Sequence, residues 1–170
     1  MPRNQFDLSG KIAVVAGASR GIGQEIAKIL GEYGAYVIAL SRGADGCAET
    51  LAAIEALGGK GEMRACHIGR VEHIEAFYRW LDETHGRIDI LVNNAAANPY
   101  YGHILDTDVA SFDKTLEVNL RGYFFMAVNA GRRMRDQGRG GAIVNVASAN
   151  GLSPGDKQGV YSITKAGIIN

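Results

Sequence analysis

Ile12-Ala-Val-Val-Ala16, running directly into Gly17-Ala-Ser-Arg-Gly21-Ile-Gly23, is the stretch whose reading decides the fold. The first five residues are apolar and partly β-branched, the pattern of a short strand buried on both faces. The three glycines follow as GxxxGxG, and behind them Ile22, Ile26, Ile29, Leu30 and Tyr33 recur at helical spacing, with Gly34 as the stop. A glycine-rich turn that joins a buried strand to a helix lets the backbone approach a phosphate closely, and the helix start offers free N–H groups and positive dipole. The plainer alternative for the same residues is a tight turn with no ligand.

Outward from this unit the pattern repeats. Tyr36 to Leu40 reads as a second strand, Ala44 to Leu57 as a helix closed by Gly58-Gly59, and Glu62 to Ile68 as a weaker strand. Val71 to His85 is expected to be a helix with Val71, Ile74, Phe77 and Leu81 inward, and Ile88 to Val92 a strand. From Ser111 to Gln137 the apolar residues Phe112, Leu116, Leu120 and Phe124 advance by four, which predicts one long helix before a fifth strand at Ala142 to Ala147. Strands alternating with helices, without hairpin signals, imply right-handed crossovers onto a parallel sheet. The fold class expected is α/β: a doubly wound, Rossmann-type parallel sheet in a three-layer α/β/α arrangement, with residues 1–170 forming one domain.

Bulk properties narrow the function. The 18 basic and 18 acidic side chains cancel, so no charge excess argues for nucleic acid or an anionic membrane surface. No stretch approaches the roughly 20 apolar residues of a membrane span. Cys47 and Cys66 have neither metal-site nor disulfide-framework spacing and read as reduced, buried thiols, and Met1 to Lys11 is polar without an apolar signal core, so a cytoplasmic protein is expected. His73, His85 and His103 read as surface or loop residues, and no metal is expected.

The glycine loop, Gly17, Ser19, Arg20, Gly21, Ile22 and Gly23, is read as a dinucleotide site. The end of the second strand then selects the cofactor, because an acidic residue there binds a ribose 2′-hydroxyl and a basic one accommodates a 2′-phosphate. The sequence is Leu40-Ser41-Arg42. Arg42 and Arg20 make a guanidinium fork suited to a phosphate, so NADP(H) is preferred over NAD(H). Two merely solvated arginines are the alternative.

Tyr161 and Lys165 stand at i and i+4 and project from one helix face, and Ser148 lies 13 residues before Tyr161, directly after the fifth strand. With Gly17-x-x-x-Gly21-x-Gly23, Asn93-Asn94-Ala95, Asn119, Ser148 and Tyr161-x-x-x-Lys165 in this order, the chain resembles the short-chain dehydrogenase/reductase family over nearly its whole length. The resemblance implies that Tyr161 is the general acid or base toward a carbonyl or alcohol, that Ser148 holds the substrate oxygen, and that Asn119 anchors a water in a proton relay. It implies that Lys165 holds the nicotinamide ribose and stabilises a phenolate at Tyr161. Asn93 and Ala95 would join the cofactor contacts. A phenol ordinarily ionises near about 10, so an adjacent ammonium makes physical sense.

Three departures stand out. Ala16 and Ala96 replace a threonine and a glycine usual in the family, and His67 stands where an aspartate commonly meets the adenine amino group, so His67 is expected to hydrogen-bond the base or cap its strand. The family continues beyond the Tyr-Lys helix, so this chain is expected to be a C-terminally incomplete version of a longer enzyme, with its last strands missing and weak or no activity alone. Cys66-His-Ile-Gly69, Asn94-Ala-Ala-Ala-Asn-Pro-Tyr-Tyr-Gly102 and Ser153-Pro-Gly155 look most like NADPH-dependent carbonyl and retinal reductases and their bacterial relatives. Tyr100, Tyr101 and His103 are read either as substrate-pocket lining or as packing. Other readings are 3-oxoacyl-carrier-protein reductase, sugar dehydrogenase and a catalytically silent dinucleotide-binding protein. The family builds dimers or tetramers through its long helix and Tyr-Lys helix, so a homo-oligomer is expected.

Overall fold

A computed structural model describes residues 6–170. The strands are β1 (Ile12–Ala16), β2 (Tyr36–Ser41), β3 (Lys60–Ala65), β4 (Ile90–Asn93) and β5 (Ala142–Asn145), all parallel, in the order β3-β2-β1-β4-β5. The helices are α1 (Gly21–Glu32), α2 (Ala48–Ala56), α3 (Val71–Thr84), α4 (Val109–Leu116), α5 (Tyr123–Asp136) and α6 (Gly159–Ile169). Because side chains alternate along a strand, central β1 feeds two cores. Val14 and Ala16 pack with Ile74, Phe77 and Leu81 of α3 and Met126 of α5, whereas Ala13 and Val15 pack with Ala27 of α1 and Ile54 of α2. This is the three-layer, doubly wound arrangement expected, with the order of strands reversing between β1 and β4.

At the far end from the glycine turn, buried Asp89 fixes the start of β1. Its carboxylate accepts the Ile12 N–H at 2.8 Å and pairs with Arg87 at 2.9 Å. Among the described residues no helix is long and apolar enough to cross a membrane.

Four local expectations change. The large aliphatics of α1 do not all turn inward: Ile22 is 66% and Ile29 51% exposed, and the buried positions are Gly23, Ala27 and Gly31. The small stripe wins because α2 crosses so closely that a methyl on Gly31 would stand 2.7 Å from Ile54 Cγ2. Strand β3 begins two residues early and stops at Ala65, since its register is set by pairing of Tyr36–Ser41 with Lys60–Ala65 rather than by its few apolar residues. The predicted Ser111–Gln137 helix is interrupted by a π-helical segment, Glu117–Gly122, between α4 and α5. His85 is not a free surface residue: its Nε2 lies 2.7 Å from Glu62 Oε1, and its ring packs against Tyr36 and Trp80.

Candidate active site

The glycine turn is held from both sides. Gly17 and Ala18 donate their N–H groups to Leu40 O at the end of β2, and the buried Thr50 hydroxyl of α2 donates to Ala18 O at 2.7 Å. From the other side, Ala95 N donates to Ala16 O, and Asn94 Nδ2 donates to Gly17 O at 2.9 Å. These contacts press the post-β4 loop onto Gly17, where a methyl would stand 2.6 Å from Ala95 Cα and where φ is +80°. Only glycine fits. Arg20, at the N-cap of α1, is extended and contributes no side-chain cap, and no acidic residue occupies the first turn. The first N–H groups of α1 and its positive dipole end therefore keep their capacity for an anion.

Above this turn lies a cleft of ≈ 890 Å³ at the carboxyl ends of the strands. Of the predicted cofactor residues, Gly17, Ser19, Arg20, Arg42, His67 and Ala95 line it. Gly21, Ile22 and Gly23 form the first turn of α1 and are not among the lining residues. Asn93 is turned away: it is fully buried and donates from Nδ2 to Asn145 Oδ1 at 2.9 Å, leaving Oδ1 without a partner. Its neighbour Asn94 lines the cleft instead, as does Lys114 from α4, and sequence reasoning assigns a cofactor contact to neither. Asn94 was signalled by the Asn-Asn pair; a lone lysine on an amphipathic helix carries no such mark.

His67 Nδ1 accepts the Gly69 N–H at 3.1 Å and so closes its own turn after β3, while Nε2 lies 2.9 Å from Lys114 Nζ. Burial, and next the Lys114 charge, lower its pKa below the ordinary histidine value. Cys66 beside it also lines the cleft, but burial pushes its thiol up to about 12, so it stays protonated.

The four predicted catalytic residues occupy three elements. Asn119 sits in the π segment, fully buried; its Oδ1 accepts from Ala97 N at 2.7 Å, and its Nδ2 donates to Ala97 O at 2.8 Å and Thr164 Oγ1 at 3.2 Å. Thr164 in turn donates to Tyr161 O at 2.7 Å, so Asn119 ties the cleft loop to α6. The wide turn fits this duty, since π turns interrupt helices where a side chain must be re-aimed. Ser148 starts a 3-10 turn after β5, and its Oγ accepts from Asn150 N at 3.2 Å, leaving its own hydrogen free to donate. Lys165 is buried on α6; its Nζ donates to Val146 O at 2.6 Å and lies 5.6 Å from the centre of the Tyr161 ring. Burial lowers the Lys165 pKa. The same helix face thus presents a phenol and an ammonium, with the Tyr123 ring 5.2 Å below Nζ. Tyr100 bonds its own loop through His103 O at 3.1 Å, and Tyr101 is exposed.

A nicotinamide dinucleotide fits these residues: a Cβ-free turn, an uncapped helix start, Arg20 at that helix start and Arg42 at the end of β2. Among the described residues, neither Arg20 nor Arg42 pairs with a carboxylate.

Residues 11–170 match the family model described as short chain dehydrogenase, and the chain belongs to this family of oxidoreductases. It is 34% identical over 162 residues to dehydrogenase/reductase SDR family member 4 of Oryctolagus cuniculus, covering 95% of this chain and 62% of that protein. It is 37% identical to the L-rhamnose 1-dehydrogenase (NAD(P)(+)) of Sphingomonas sp. (strain SKA58), covering 95% and 63% of the two chains. A metagenomic short-chain oxidoreductase solved in complex with NADP superposes with a TM-score of 0.91 at 34% identity, over 96% of this chain and 73% of that one. The chain spans less than two thirds of the length of these two curated relatives.

Proposed function

We propose that the protein is an NADP(H)-dependent oxidoreductase of carbonyl and secondary alcohol substrates, working through Tyr161, Lys165, Ser148 and Asn119. The observation that carries this reading is the buried Lys165 ammonium held 5.6 Å from the Tyr161 ring on one helix face. The dinucleotide supplies the hydride exchange when bound. In reduction, the Ser148 hydroxyl donates a hydrogen bond to the substrate oxygen and Tyr161 delivers the proton to it; oxidation runs the same transfer backward. Lys165 stabilises the phenolate that this leaves, and would exchange its bond to Val146 O for one to the nicotinamide ribose. Asn119 fixes the Ala97 backbone and α6 in one frame and anchors the relay water.

Arg20 and Arg42 support NADP(H) over NAD(H) through bidentate pairing with a 2′-phosphate. Arg42, His67 and Ala95 would hold the adenosine half. The free, buried thiols of Cys47 and Cys66 fit a reducing compartment such as the cytoplasm. The likeness to an L-rhamnose 1-dehydrogenase favours a sugar as a second substrate reading, beside simple carbonyls.

The test is Tyr161→Phe assayed with NADPH against a panel of carbonyls and sugars. Turnover is expected to fall by about three orders of magnitude or more while NADPH binding persists. Retained turnover sinks the mechanism, and tighter binding of NADH than NADPH sinks the cofactor assignment. Dinucleotide binding without turnover of any substrate by the wild type favours a silent binding protein.

A further inference from the structure

We propose that His67 and Lys114 form a donor-only edge for the purine base of the dinucleotide, so that this cleft accepts a 6-oxopurine, hypoxanthine, at least as well as adenine. The inference rests on the cleft being the dinucleotide site. With the pyrophosphate at the glycine turn and the ribose beside Arg42, the remaining lining continues past the end of β3. There Ile68 and Val118 offer apolar, nearly buried walls, and His67 and Lys114 are the polar side chains between them. An apolar slot with a polar edge is what a flat heteroaromatic ring requires.

The polarity of that edge follows from the hydrogen bonds. Gly69 N–H approaches His67 Nδ1 at 3.1 Å and Lys114 Nζ approaches Nε2 at 2.9 Å, and a neutral imidazole, with one bare ring nitrogen, accepts from only one of these two donors at a time. When Nε2 accepts a Lys114 hydrogen, two ammonium hydrogens remain for a ligand; when Nδ1 accepts from Gly69, Nε2 carries the ring hydrogen and all three remain. In both cases the groups available to a ligand are donors. The charged or titratable groups acting on His67 are Lys114, His73 and Arg42, all basic, and among the described residues Lys114 pairs with no carboxylate. On the edge that runs from N7 to C6, adenine sets its 6-amino donors beside the N7 acceptor, whereas hypoxanthine sets a second acceptor, its 6-oxo oxygen, there and carries its added N1–H on the far side of that oxygen. An unmatched donor pair at a partly buried contact is costly, and a matched charge-assisted one is favourable.

The experiment is fluorescence titration of the whole chain with NADPH and with its reduced hypoxanthine analogue, for wild type, His67→Asp and Lys114→Met. The wild type is expected to bind the hypoxanthine form as tightly as NADPH or more tightly. His67→Asp, which puts an acceptor at the edge, is expected to shift the ratio of the two dissociation constants by about tenfold toward adenine. Lys114→Met is expected to lower affinity for the hypoxanthine form more than for NADPH. A wild type that favours NADPH, or a ratio that neither variant moves, overturns the proposal. Failure of both dinucleotides to bind removes the dinucleotide reading itself, and this proposal with it.

Discussion

At neutral pH the His67 imidazole is uncharged, because burial disfavours its cation first and the Lys114 ammonium disfavours it next. The unfolded chain, with an ordinary histidine near about 6.5, binds more protons than the native state in the interval below that value. Native stability contributed here is therefore present above about 6.5 and is lost as pH falls through the lowered folded value. Lys114→Met removes one of the two leading causes, so proton NMR titration should find the His67 pKa higher in the variant than in wild type. An unmoved titration would mean that Lys114 Nζ does not approach the ring in solution. At this scale the glycines, Arg20, Arg42, Ser148, Tyr161 and Lys165 stand out in the sequence as candidates, since each belongs to a spaced motif or ends a strand. Lys114 and Thr164 do not, because their duties depend on partners 47 and 45 residues away. Asn93 misled for a related reason: adjacent asparagines at a strand end point to opposite faces, and sequence does not say which faces the cleft.

Elements were legible where hydrophobic periodicity agreed with packing. Periodicity misjudges the α1 face because it counts large aliphatics, whereas a helix crossing this close to α2 must present Ala27 and Gly31, and Gly23 is kept small by the glycine turn and Asn94 beside it. Ala27→Leu should consequently overpack this contact and cost about 1–3 kcal/mol, whereas Ile29→Gln, on the exposed side, should change stability by no more than about 0.5 kcal/mol. Urea denaturation of the two variants decides it; equal effects would contradict the small-residue contact. The π segment had a signal that went unread. Apolar residues repeating every four positions overshoot a 3.6-residue turn, and a wider i→i+5 turn takes up the difference. Phe112, Leu116, Leu120 and Phe124 thereby share one groove despite the break at Glu117–Gly122. Edge strand β3 was blurred because Lys60, Glu62 and Arg64 sit within it, as charged residues do on exposed edges.

For the whole molecule, the strand alternation gave the layers but not the strand order, which depends on which crossovers return past β1. The groove just named runs over α4, the π segment and α5, its apolar residues flanked by Asp113, Glu117 and Arg121, with Phe124 61% exposed. Patches of this kind mark association surfaces, and in keeping with the oligomer expected from the family, the wild type should run as a dimer or tetramer in light scattering. Phe124→Glu should reduce it to a monomer with unchanged circular dichroism; an unaltered mass would move the interface elsewhere. The net charge of zero conceals an uneven distribution, because Arg20, Arg42 and Lys114 all line the cleft without carboxylate partners among the described residues. Such a cluster acts before contact. Its field draws in a polyanion from solution and is screened over ~10 Å at 0.1 M salt. In stopped-flow capture of NADPH, added salt should therefore slow arrival much more than departure, and a charge-neutral mouth would show no such asymmetry.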